Sequence, residues 1–170
     1  MAFVSTAATC QIPDYLNEFV EVTTRTHVDE ELGFRVDYPY EWHPSSDPVG
    51  DADFYVGAPF AMPSFSVTVL EKPDAALADS IDLLDLSTYT NQDPLGVKQI
   101  RFAGFDALSV TVNWTTDDAG RHFIETKLIS FYADGWWYVL RVNQTYRDNP
   151  WRTRLNAVLG SFELLEAAPS

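Results

Sequence analysis

Residues 122–142 read HFIETKLISFYADGWWYVLRV, and the reading of this stretch decides the fold. Asp134-Gly135 is the strongest turn signal in the chain, because a type I′ hairpin turn needs positive φ and glycine adopts it without strain. On its far side Trp136, Tyr138, Leu140 and Val142 recur at every second position, the period of a strand with one buried face. On its near side the strand from His122 to Tyr132 returns antiparallel. Working outward, Asp117-Asp118-Ala119-Gly120 predicts a second hairpin turn. Before it, Leu108, Val110, Val112 and Trp114 face one way, and Ala107, Ser109, Thr111 and Asn113 face the other. The same alternation appears earlier, in Phe65, Val67 and Val69 and in Phe34, Val36 and Tyr38, where Pro39 ends the strand. Val20, Val22 and Thr24 alternate in the same way, and Phe54 to Val56 reads as a short strand. This is antiparallel sheet.

Two helices accompany it. From Ala75 to about Thr88, Leu77, Ile81 and Leu84 make one stripe, with Asp79, Asp82 and Asp85 broadly opposite. A second helix opens at Asn149 as N-cap with Pro150 in the first helical position, where a missing N–H costs nothing. Trp151, Leu155, Val158, Leu159 and Phe162 give it a single apolar face, predicted to pack on the sheet.

The 170 residues suit one domain, and 14% aromatic content supplies a core despite a net charge of −14. That charge argues against binding nucleic acid by neutralising its backbone. It is unevenly placed: 17 acids and 3 bases precede Leu95, and 8 of each follow. One cysteine excludes an internal disulfide and multi-cysteine metal sites, and three histidines argue against a histidine-rich centre. No stretch approaches the roughly 20 apolar residues of a membrane span. Residues 1–17 are expected to form a flexible arm and residues 18–166 a single domain. Cys10, after Ala7, Ala8 and Thr9, is read as a free thiol. The alternative is a lipid-anchored cysteine at an envelope surface, exposed by removal of a leader; without a leader the compartment is cytoplasmic.

Gly33-Phe34-Arg35-Val36-Asp37-Tyr38-Pro39-Tyr40-Glu41-Trp42 resembles the opening of PsbP-like domains. Further features follow in the same order: a strand ending Glu71-Lys72, a helix, a hairpin around Gly104-Phe105-Asp106-Ala107, Gly135-Trp136-Trp137-Tyr138-Val139-Leu140, and a closing helix ending Gly160-Ser161-Phe162. The resemblance covers roughly residues 30–165. It implies an α+β fold, an α/β/α sandwich around a central antiparallel sheet, with one helix mid-chain and one at the C-terminus. It also implies no catalytic centre. Its members include accessory factors of photosynthetic complexes, and a Ran-binding import factor shares the fold. The chain starts only a short way before the resembling segment, so the long N-terminal extension of the photosystem type is not expected.

Nucleophile motifs such as Gly-x-Ser-x-Gly and phosphate-cradling glycine loops are absent, so no enzyme and no cofactor are predicted. The expected role is a non-enzymatic binding or assembly module acting through another protein. The candidate contact residues are Asp79, Asp82 and Asp85, Trp137, and the cations Arg152 and Arg154. With Arg147 these two form the only local basic cluster, and both lie in a helix's first turn, where the dipole disfavours them; ion pairing with the acidic first half of the chain is the plainer explanation. Trp136 is assigned to the core. Trp137, on the opposite face of the strand, belongs either to a second core layer or to an exposed aromatic patch. The alternative function is a small-ligand or metal-binding protein (Ca²⁺, Mn²⁺ or Zn²⁺) using His27, Asp29 and the loop of Asp47, Asp51 and Asp53. That loop lacks EF-hand spacing, and turn-forming aspartates explain it more simply. Asn113-Trp114-Thr115 and Asn143-Gln144-Thr145 match the glycosylation pattern but fall in predicted strands.

Overall fold

A computed structural model describes residues 23–45, 51–59, 62–84, 86, 93–115, 123–145 and 149–165. Val20, Val22, the 1–17 arm with Cys10, Asp47, Asp85, the Asp117–Gly120 turn and Arg147 lie outside the described residues, as do the side chains of Trp151 and Arg152.

The described residues form ten strands. β1 (Thr24–Asp29), β2 (Phe34–Pro39) and β10 (Glu163–Leu164) make a three-stranded sheet in the order β1-β2-β10. The other seven are β3 (His43–Pro44), β4 (Phe54–Gly57), β5 (Ser64–Glu71), β6 (Asp93–Phe102), β7 (Phe105–Thr115), β8 (Phe123–Ala133) and β9 (Trp136–Thr145). They pair in the order β3-β4-β5-β9-β8-β7-β6, every pair antiparallel. The β8–β9 turn is the one the sequence predicts: Asp134 and Gly135 have φ of 50° and 84°. Ala103 and Gly104, at 48° and 87°, repeat it between β6 and β7.

Register sorts the larger sheet into two faces. Phe131 stands opposite Tyr138 and Ile129 opposite Leu140; Val69, Val67 and Phe65 extend that row across β5. This first face is covered by the small sheet, through Phe34, Val36 and Tyr38, and by α1 (Asn149–Ser161), through Leu155, Val158 and Leu159 with Phe162 just beyond it. The predicted apolar face of the second helix therefore packs where expected. On the second face Leu108, Val110, Leu128, Trp137 and Val139 form a smaller cluster with Ile81.

The fold is dominated by antiparallel sheet, as expected, but its layers differ from a sandwich with α-helices on both sides. Half of the first cover is a second sheet. The second face carries a 3-10 helix, Leu77–Leu83, among the described residues, in place of the expected α-helix over Ala75–Thr88. A period of three accounts for the difference. Ile81 is buried, Asp79 and Asp82 recur three apart on the solvent side, and the Ser80 hydroxyl bonds back to the Leu77 carbonyl at 2.8 Å. Ser80 also meets Ser130 of β8 at 3.2 Å between hydroxyl oxygens, both fully buried, which seats the turn on the sheet.

The structure reverses the expectation for Trp136 and decides the open one for Trp137. Trp136 is 44% exposed and Trp137 only 5%. Trp136 follows the Asp134-Gly135 turn, at the end of the sheet and beyond the cover that buries Tyr138. Trp137 points to the second face, edge-on to Tyr132 with ring centroids 6.5 Å apart. Assigning Trp136 to the core is thus corrected, and Trp137 belongs to the second core layer.

The motifs behind the family resemblance interlock. Ser161 accepts a hydrogen bond from the Asp37 backbone N–H at 2.9 Å, tying the end of α1 to β2. Phe162, next in sequence, stacks on Phe34 at 5.7 Å and 19°. Gly33 has φ of +71°, which turns the chain into β2 in a region that suits glycine. The Tyr138 hydroxyl beside it donates to the Leu32 carbonyl at 2.9 Å, and burial raises its pKa.

Candidate functional site

The residues singled out as contacts fall on separate surfaces. Asp79 and Asp82 are exposed on the 3-10 helix and form no ion pair among the described residues. Leu83 beside them is 50% exposed. Arg154, on α1, pairs with Glu41, so this cation serves the ion pairing with the acidic half of the chain. Trp137, being buried, presents no ring to a partner. Elsewhere Arg35 pairs with Glu163 and Arg101 with Asp106, each at 2.7 Å.

Three residues of the metal reading, His27, Asp29 and Asp53, make contacts that shape the fold. His27 and Asp29 share a face of β1, but the His27 ring is half-buried and stacks on Phe54 at 4.0 Å and 15°. Asp29 Oδ1 accepts hydrogen bonds from the backbone N–H groups of Glu31 and Leu32, which shapes the turn into β2. Asp53 Oδ2 accepts from the Val69 N–H at 2.6 Å, pinning its loop to β5. No group of three or more metal-ligating side chains occurs among the described residues.

Burial lowers the His27 pKa below its ordinary 6.5, against an opposing pull from Asp29. The folded protein therefore takes up this proton at lower pH than the unfolded chain does. Well above 6.5 both states are neutral at His27 and the group contributes no pH dependence. As pH falls from 6.5 through the folded value, the unfolded state gains the proton first and stability drops. A series of urea unfolding curves between about pH 5 and 8 is expected to show this loss on the acid side. The loss shrinks in His27→Phe, which keeps a ring over Phe54; an unchanged slope in that variant would place the proton elsewhere.

A concave site lies on the first face, where α1 leaves the outer strands uncovered. It is a groove of about 380 Å³ floored by β6, β7, β8 and β9. Register brings its residues together: Lys98 stands opposite Ser109, Thr111 opposite Lys127, and Glu125 opposite Gln144. Ile100, Val142, Leu155 and Leu159 supply an aliphatic side, and Asn156 projects from the helix. The Gln144 amide donates to Glu125. A bulge in β6 between Pro94 and Val97, with Gly96 at φ +92°, bends the edge strand at the groove's margin. Sequence reading passed over this groove. Its signal was present, since Ser109 and Thr111 stood on one predicted face and two of the chain's three lysines pair with them on that face. Placing them in one concavity needs the strand order β9-β8-β7-β6, which alternation does not contain.

No family model matches the chain, and no curated protein matches it in sequence. Solved structures do. The solution structure of PsbP (CyanoP) from Synechocystis superposes with a TM-score of 0.60 at 12% identity, over 95% of this chain and 98% of that one. The Ran-binding protein Mog1p of Saccharomyces cerevisiae gives 0.56 at 12% identity, over 85% and 97%. A protein of Bacteroides thetaiotaomicron gives 0.60 at 10% identity over 83% of this chain, which spans only 48% of that protein's length. The chain has the fold shared by PsbP-like and Mog1 domains. At these identities the likeness is one of fold, and function has to be argued from the site.

Proposed function

We propose that this protein is a non-enzymatic binding or assembly module that acts through contacts with another protein. The fold is one on which a Ran-binding protein is built, which supports an interaction role for this chain by analogy. The observation that carries the reading is the acidic turn. Ile81 and Ser80 hold the 3-10 helix against the sheet, leaving Asp79, Asp82 and Leu83 to solvent as a fixed relief. Two carboxylates without cations beside an exposed leucine complement a basic segment that carries an apolar residue. Charges of this kind steer association and are screened by salt.

Affinity capture from the native source tests this. The wild-type protein is expected to retain a partner that elutes as salt is raised, and an Asp79→Asn/Asp82→Asn/Asp85→Asn variant is expected to lose it. An identical partner set from both proteins would remove the acidic turn from consideration.

A further inference from the structure

We propose that the groove between α1 and the first face of the larger sheet binds a small organic monocarboxylate with an aliphatic body. The proposal is independent of the acidic turn, which lies on the opposite face of the same sheet. Charge identifies the ligand's head. In a chain of net charge −14 with three lysines, two of them, Lys98 and Lys127, line this one concavity. Neither has an ion-pair partner among the described residues. Glu125 is the one acid in the lining and is engaged by Gln144, so the groove carries one net positive charge. A single carboxylate neutralises it.

Geometry lets both ammonium groups serve one carboxylate. Lys98 lies on β6 opposite Ser109 and Lys127 on β8 opposite Thr111, so two strand spacings and a two-residue offset put them roughly 12 Å apart at the backbone. Their flexible stems reach inward over that separation. Charge-assisted hydrogen bonds of this kind are the strong ones, and the hydroxyls of Ser109 and Thr111 between the two strands add neutral donors. Ile100 and the α1 leucines then supply the apolar wall against which a short aliphatic body lies. A volume of about 380 Å³ falls at the small end of ligand pockets, which run from about 300 to 1,000 Å³. The lining residues stand on strands and a helix, so the site is formed before the ligand arrives.

An amide-resolved NMR titration at low salt, with hexanoate as probe and hexan-1-ol and hexylammonium as matched controls, decides the matter. Hexanoate is expected to shift, saturably, amides of β6, β7, β8 and α1 around the groove while leaving those of Asp79 and Asp82 in place. Its affinity should exceed that of hexan-1-ol by at least about tenfold, as two charge-assisted bonds to the head require. Lys98→Gln/Lys127→Gln should abolish that preference. The variant should keep the wild-type spectrum elsewhere, because both side chains reach solvent. Equal binding of the alcohol, tighter binding of the ammonium, unsaturable shifts, or shifts away from the groove would each overturn the proposal.

Discussion

Phe131→Ala is expected to lower unfolding free energy by about 3–5 kcal/mol, the usual cost of emptying a buried phenylalanine site. The ring has no exposed surface and is surrounded by other rings. It stacks on Tyr138 of β9 at 5.2 Å and 8°, and on Phe105 of β7 at 5.6 Å and 18°. It also meets Phe102 of β6 at 5.8 Å and stands edge-on to Phe162 past the end of α1 at 6.1 Å. A cavity here is walled by aromatic rings anchored on different elements, which cannot collapse together without moving strands. The loss is a large share of the roughly 5–15 kcal/mol that holds a domain folded. Urea denaturation should show a lower midpoint at unchanged slope. Phe131→Leu, which keeps most of the volume, should lose less than about 1.5 kcal/mol. A loss under about 1 kcal/mol in the alanine variant would mean that the cluster relaxes around the gap, contrary to its rigid packing.

This cluster also marks how far the sequence alone reaches. Period-two alternation in Trp136–Val142 and the Asp134-Gly135 turn were sufficient for β8 and β9, because a strand's side-chain period is local information. The apolar stripe of Leu155, Val158, Leu159 and Phe162 was equally legible. What alternation does not carry is which strand pairs with which. The split into two sheets was therefore missed: β2 and β3 are separated by three residues yet belong to different sheets. The spacing of Asp79 and Asp82 held a readable clue to a three-residue period, overridden by reading Leu77, Ile81 and Leu84 as an α-helical stripe. Trp136 was misassigned, and Trp137 left open, for another reason. The strand's alternation told their faces apart correctly, but the cover over each face decides burial, and the small sheet with α1 stops short of Trp136.

The same distinction separates the two candidate surfaces. The acidic turn was visible in sequence because its residues are near neighbours, and the structure adds its anchoring through Ser80 and Ser130. The groove gathers Lys98, Lys127 and Asn156 from three elements, so it exists only once the sheet is ordered and α1 is laid across it. On the two proposals made above, an acidic surface on one face and a basic groove on the other would recognise oppositely charged groups, and salt would weaken both. Their separation by the sheet lets one be altered without the other.

Trp42→Ala is expected to cost about 3–5 kcal/mol as well, with consequences that spread unevenly through the molecule. Trp42 is fully buried in the main core, and its backbone N–H donates to the Pro39 carbonyl at 2.9 Å. It lies between the end of β2, in the small sheet, and the start of β3, in the large one. The chain turns this corner through Tyr40, whose ring lies 3.9 Å beneath the Arg25 guanidinium, and Glu41, which pairs with Arg154 of α1. Of these neighbours only Trp42 is wholly removed from water. Removing the indole takes away apolar contact where the chain crosses between the sheets, leaving β1 and β2 held by β10, Ser161, the Phe34–Phe162 stack and the ring contacts of His27, Phe34 and Tyr38 with Phe54. Hydrogen exchange in Trp42→Ala should therefore rise first in β1 and β2, ahead of β7, β8 and β9. Glu41→Gln, one residue away, removes a partly exposed ion pair and should cost less than about 1 kcal/mol. Trp42→Phe should recover much of the loss by refilling part of the site. Exchange that rises uniformly over all strands in Trp42→Ala would show instead that the two sheets unfold as one unit, with the tryptophan serving only as core volume.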